Sequence, residues 1–211
     1  VMQDPSVDQS IQDCTTALRI LNYCSRTVQQ NMAVKSRKSS PAADPFADNS
    51  SATNVAKAKD ESAIASSISF RESEWIIAQK MAACLLQLSE LHLIRGSWRD
   101  AQYYLEKGHE LGEKLHSRIM KFKFLVAFSD FHLRCGSLDS SASNLKDAKE
   151  VQPLGEIYIR EDAELNMAAG NVDADQGCLS DAVKSYNAAE ENFNKMIDAG
   201  YIATIEDLVQ R

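Results

Sequence analysis

His132 and Cys135 stand three residues apart, a spacing that on a helix sets an imidazole and a thiol on one face. There the ring could take the thiol's proton and make a nucleophile. The surrounding phrase argues otherwise, because it occurs twice. Leu88-Ser-Glu-Leu-His-Leu-Ile-Arg-Gly-Ser97 recurs forty residues later as Phe128-Ser-Asp-Phe-His-Leu-Arg-Cys-Gly-Ser137. His132 aligns with His92, which has Arg95 where the nucleophile would be. Catalysis needs a positioned pair of perturbed groups. A histidine copied without its partner is read as packing, its half-polar ring facing the neighbouring helix, so both histidines are assigned structural roles.

Other chemistries lack their ligands or loops. No Cys-x-x-Cys or His-x-x-x-His pattern occurs, and His109 and His116 lie two turns apart without supporting cysteines. A glycine-rich phosphate loop and a Gly-x-Ser-x-Gly elbow are missing as well. Glu190 and Glu191 are consecutive on a helical pattern and point in different directions; Tyr103 and Tyr104 split likewise, one ring inward and one outward. The sequence assigns no catalytic residue, no metal ligand and no cofactor, and predicts no small-molecule substrate.

What positions these residues is the repeat. A weaker third copy places Gly177 after Gly136, followed by Ala182, Tyr186 and Ala189. A period near forty, with a glycine between two helical patterns, predicts stacked helical hairpins. The first repeat spans 73–115: Ile77, Met81, Leu85, Leu88 and His92 stripe its first helix, Arg95-Gly96-Ser97 turns the chain, and Trp98, Ala101, Leu105, Gly108 and Leu115 face inward from the second. The second repeat spans 118–152, with Met120, Phe124, Phe128 and His132 in one helix, Leu138, Ala142, Leu145 and Ala148 in the other, and Pro153 as the stop. The third, degenerate, spans 154–199. Leu165, Ala168, Ala169 and Val172 form its first stripe, and Leu179, Ala182, Tyr186, Ala189, Phe193 and Met196 its second. A further helix begins over 202–211, and nothing alternates with the period of a strand.

Ahead of the repeats, residues 1–34 carry Ile11, Cys14, Leu18, Leu21 and Val28 at mostly three- and four-residue steps. They predict an amphipathic helix that packs on the repeats. Residues 35–60, rich in Ser, Ala, Asp, Asn and Lys with Pro41 and Pro45, bury too little apolar surface to offset the entropy of ordering and are predicted to be a disordered insertion. Within it, Ser40-Pro41 is a minimal proline-directed phosphorylation site. Residues 61–211 make the repeat region.

Composition limits the partners. The 211 residues carry a net charge of −7, but residues 147–211 hold fourteen Asp and Glu against five Lys and Arg. That segment disfavours nucleic acid and suits a basic peptide. Five irregularly spaced cysteines point to a reducing compartment, and the chain has neither a bilayer-length apolar run nor a basic-then-apolar leader. Val1 and the short last pattern read as cuts in a longer chain.

The hairpins resemble tetratricopeptide repeats: Arg95-Gly-Ser-Trp-Arg-Asp-Ala-Gln-Tyr-Tyr-Leu-Glu-Lys-Gly108 has the glycine, alanine, aromatic and small-residue order of that motif. The expected fold is thus all-α, a tetratricopeptide-like α-solenoid with a disordered insertion. More narrowly, Trp75 through Leu115 is similar to the helical region of fungal-type separases, with a Gly-x-aromatic-[RK]-[DE]-Ala-[EQ]-Tyr-Tyr hairpin. The resemblance implies a parent cysteine endopeptidase of cytoplasm and nucleus that cleaves the kleisin of cohesin. Its protease dyad lies in a C-terminal caspase-like domain whose motifs have no match here. It implies for this segment a non-catalytic scaffold that binds securin and the protease domain of its own chain, with cohesin as a further partner and no membrane or direct nucleic-acid contact. The competing expectation is a tetratricopeptide subunit of another assembly, such as a cohesin loader, the anaphase-promoting complex or a motor light chain. In either case first helices line the groove of such arrays. The candidate partner-binding residues are therefore Leu86, Glu90, Leu93, Ile94, Lys123, Val126, Asp130 and Arg134, a mixture of apolar anchors and both charge signs.

Overall fold

The computed structural model describes residues 5–38, 53–153, 155 and 158–198, with side chains over 5–31, 73–153, 155 and 158–197. Among them the fold is all-α: α1 Pro5–Lys38, α2 Thr53–Arg95, α3 Trp98–Lys114, α4 Arg118–Arg134, α5 Leu138–Val151, α6 Ile159–Asp175 and α7 Leu179–Asp198. None of these helices is long and apolar enough to cross a membrane. Helix extends further into the 35–60 stretch than its composition suggests, since α1 runs to Lys38 and α2 starts at Thr53. Residues 39–52, with Ser40, and the last pattern at 202–211 lie outside the described residues.

The chain divides into two compact units after Cys84. In the first, the predicted stripe Ile11, Cys14, Leu18, Leu21 and Val28 is half-buried throughout, as expected of a helix with one neighbour. Its neighbour is α2, met at Glu74 and Cys84. The Gln29 side chain donates to Glu74 over 3.3 Å, and the Cys84 thiol is near enough to Cys14 to help raise its pKa, after burial itself.

The second unit begins at Leu85. Its helices pack in chain order, α3 on α4, α4 on α5, α5 on α6 and α6 on α7, with α4 also meeting α6. Such nearest-neighbour packing is the signature of a solenoid. The three repeat glycines adopt one conformation, φ +78° at Gly96, +76° at Gly136 and +78° at Gly177. Around each, two backbone bonds close the helix end: Ser97 N to His92 O, Ser137 N to His132 O and Cys178 N to Asp173 O, all 2.8 Å, span six residues, and a glycine-to-i−3 bond completes the turn. This is the Schellman cap, which asks for a left-handed residue and hence glycine. The α3–α4 turn has the same bonds, Ser117 N to Gly112 O and His116 N to Glu113 O, but His116 fills the left-handed slot with φ 49°. No glycine marked that turn in the sequence. At the other stop, Gln152 caps α5 in an extended conformation, the state that a following proline imposes.

The predicted inward residues Ala101, Leu105, Met120, Phe124, Leu145, Ala148, Leu165, Val172, Ala182, Ala189 and Met196 are buried. Three others are exposed. Trp98 is 43% exposed, with its ring edge-on to Phe131, Leu179 is 67% exposed and Tyr186 37%. The single-stripe reading also missed Phe122 and Phe131. Helix α4 has neighbours on both sides: Phe124 faces Gly108 of α3, while Phe122 joins Leu145, Ala148, Leu165 and Val172 in the core shared with α5 and α6. A helix covered twice is apolar on two faces, so a search for one stripe finds half of it.

Candidate peptide-binding groove

The first helices of the hairpins stand side by side, and between them runs an open groove of about 340 Å³. Its apolar lining is Leu86 of α2, Val126 and Ala127 of α4, and Met167 and Ala168 of α6. The repeat explains why these residues meet. Val126 stands forty residues after Leu86, and Met167 forty-one after Val126, the steps that separate Gly96, Gly136 and Gly177. One position of the hairpin, used three times, makes the floor. The adjoining polar position, Glu90, Asp130 and Asn171, repeats with the same steps, and Asp130 and Asn171 line the groove.

Charges at the rim pair among themselves. Lys123 Nζ lies 3.1 Å from a carboxylate oxygen of Glu161, Arg134 Nε 2.8 Å from Asp130, and Arg160 Nε 2.8 Å from Glu164. The last two are exposed one-turn pairs that contribute little to stability and mainly hold side chains aside. Lys123 has a heavier task, because Glu161 is only 7% exposed and a buried carboxylate without a counter-charge is costly. Asn171 accepts a 2.8 Å hydrogen bond from the Tyr186 hydroxyl, which ties the groove wall to α7.

Four of the eight predicted contact residues, Leu86, Lys123, Val126 and Asp130, line this groove. Arg134 is exposed and bound to Asp130, while Glu90 and Ile94 are exposed outside the lining. Leu93 is a correction: it is buried, 8% exposed. Leu85, Leu88, Ser89, His92 and Leu93 are all buried, and their three- and four-residue steps make a stripe one residue wider than the predicted line through Leu85, Leu88 and His92. The residues of α6 were missed because that copy is degenerate. Applying the repeat steps to Leu86 and Glu90 would have found Met167 and Asn171.

The two histidines sit among aromatic rings. His92 is 7% exposed, stacks on Tyr104 at 5.3 Å between centroids, and neither ring nitrogen has a hydrogen-bond partner. Burial lowers its pKa; Asp100, 3.6 Å from Nδ1, acts in the opposite sense, and Arg95 adds to the lowering. His132 stacks on Phe128 and meets Phe131 edge-on. Burial raises the Cys135 thiol above its ordinary pKa, the reverse of what an activated nucleophile requires. Tyr103 is outward and Tyr104 half-buried. Among the described residues, no group of three or more His, Cys, Asp or Glu could hold a metal ion.

What the arrangement can do is accept apolar side chains. The volume is near the lower end of the ~300–1,000 Å³ found for ligand pockets, and its openness suits an extended segment lying across parallel helices. No protein-family model, no curated protein and no solved structure matches this chain.

Proposed function

We propose that this chain is an interaction scaffold: the non-catalytic helical region of a separase, whose groove holds an apolar segment of a regulator such as securin. The observation that carries the scaffold reading is the floor formed by Leu86, Val126 and Met167, one repeat position presented three times to the same groove. Rim charges that are already paired leave apolar side chains as the feature recognised, and they discriminate against a partner that would bury a charge there. The separase assignment is supported by the Gly96–Tyr104 hairpin sequence alone. In that setting the protease chemistry belongs to another domain of the parent, and the segment acts in cytoplasm and nucleus during chromosome segregation.

The test is a titration of the purified chain against fluorescently labelled securin, repeated with Val126→Asp, Met167→Asp and, as a surface control, Ser143→Asp. Each groove variant is expected to weaken binding about tenfold or more, as loss of a central apolar anchor does, and the control to leave it unchanged. Failure of the unmodified chain to bind securin would overturn the separase reading and favour a tetratricopeptide subunit of another assembly. Binding that ignores both groove substitutions would overturn the groove.

A further inference from the structure

The groove floor has a period, and a period selects a conformation. Leu86, Val126 and Met167 each come from a different helix, and Met167 is 46% exposed. Packed helices stand about 8–10 Å apart, and α4 meets α6 directly, so successive apolar steps of the floor repeat at about that distance. A polyproline II chain rises about 3.1 Å per residue with three residues per turn, so one face returns after about 9 Å. A β-strand returns to a face after two residues, about 7 Å, and falls out of step by the third contact. An α-helix is too thick. Spread over the ~20 Å that three helices at this spacing span, a groove of about 340 Å³ has a cross-section of about 17 Å², against about 80 Å² for a bare helix 10 Å across.

Charge adds a direction. Glu90 stands one turn along α2 from Leu86, exposed and with no ion-pair partner among the described residues. The equivalent residue of α4, Asp130, is held by Arg134 at 2.8 Å, and α6 has the neutral Asn171 there. Open negative charge therefore flanks the α2 end of the floor. We propose that the groove selects a polyproline II segment with an apolar residue at every third position and a basic residue beside the one that meets Leu86. This rests on the groove reading above and deepens it by stating what the bound segment must look like.

Fluorescence anisotropy with three labelled synthetic peptides tests it: Leu-Lys-Pro-Leu-Lys-Pro-Leu, the isomer Leu-Pro-Leu-Lys-Leu-Lys-Pro with two-residue apolar steps, and Leu-Glu-Pro-Leu-Glu-Pro-Leu. The first is expected to bind about tenfold more tightly than its isomer, as loss of register at an apolar anchor implies, and about threefold or more tightly than the acidic peptide. Val126→Asp is expected to remove binding of the first peptide, and Glu90→Gln to reduce its advantage over the acidic one while keeping its advantage over the isomer. Equal binding of the two isomers, both lost with Val126→Asp, would overturn the three-residue register and leave the groove standing. Binding that survives Val126→Asp would overturn the groove reading itself. An advantage over the acidic peptide that is unchanged by Glu90→Gln, or no binding by the first peptide, would overturn the proposal as well.

Discussion

Ser129 and Ser141 share a 2.8 Å hydrogen bond between their hydroxyls across the α4–α5 hairpin, at positions no more than 1% exposed. Ser141 also lies 2.8 Å from the Ser129 carbonyl oxygen, to which its hydroxyl can donate. The equivalent pairs are Ser89 with Ala101 in the first repeat and Gly170 with Ala182 in the third. In all three repeats both members of the pair are small and buried, the combination that lets helix axes come close.

The pair makes an asymmetric prediction. Ser141→Ala is expected to cost about 1 kcal/mol, the usual value of a buried hydrogen bond, with no steric penalty because alanine already serves at Ala101 and Ala182. Ser129→Ala should cost less, since the Ser141 hydroxyl keeps its carbonyl acceptor. Ser141→Leu should cost about 1–3 kcal/mol by overpacking. Urea unfolding of the three variants measures the order.

The shared turn predicts opposite signs for two exchanges. At Gly136 a Cβ would meet nothing within 4 Å, so Gly136→Ala carries only the left-handed backbone penalty, about 1–2 kcal/mol. His116 already bears that penalty at φ 49°. His116→Gly should therefore stabilise the chain by about 0.5–1 kcal/mol, the gain being reduced by the greater freedom of glycine when unfolded. Thermal midpoints moving in opposite directions would bear this out; a destabilised His116→Gly would not.

Close approach decides a third. A Cβ on Gly108 would fall 1.9 Å from the Phe124 ring, which is itself fully buried. Gly108→Ala should cost at least about 1–3 kcal/mol, and Phe124→Leu in the same chain should return part of it. A double-mutant cycle tests the coupling; additive losses would show that the ring is not what glycine accommodates.

Acid should weaken the fold through His92. Burial holds its folded pKa below the ordinary 6.5, so on acidification the unfolded chain takes up the proton first. The contribution is constant above about pH 6.5 and falls as pH drops below that value toward the folded pKa. His92→Phe keeps a ring against Tyr104 and removes the titration. Urea midpoints from pH 8 to 5 should fall more steeply for the natural chain than for the variant, and parallel curves would exclude His92 as the source.

Much of this was legible in the residues. The forty-residue phrase, the glycines at its turns and the three- and four-residue apolar steps determined the helices and their hairpin order, because caps and helical periodicity are local properties. Four of the ten groove residues were readable for the same reason: Leu86, Lys123, Val126 and Asp130 flank the predicted stripes at helical spacing. The sequence did not show that α4 is covered on two sides, that Leu93 is enclosed while Trp98 and Leu179 are not, or that His116 takes a left-handed turn. It did not bring Met167 beside Val126. Those outcomes depend on which helices become neighbours, and burial belongs to a pair of surfaces rather than to either one. Periodicity along a single helix says which residues share a face; only the tertiary packing decides what, if anything, lies against it.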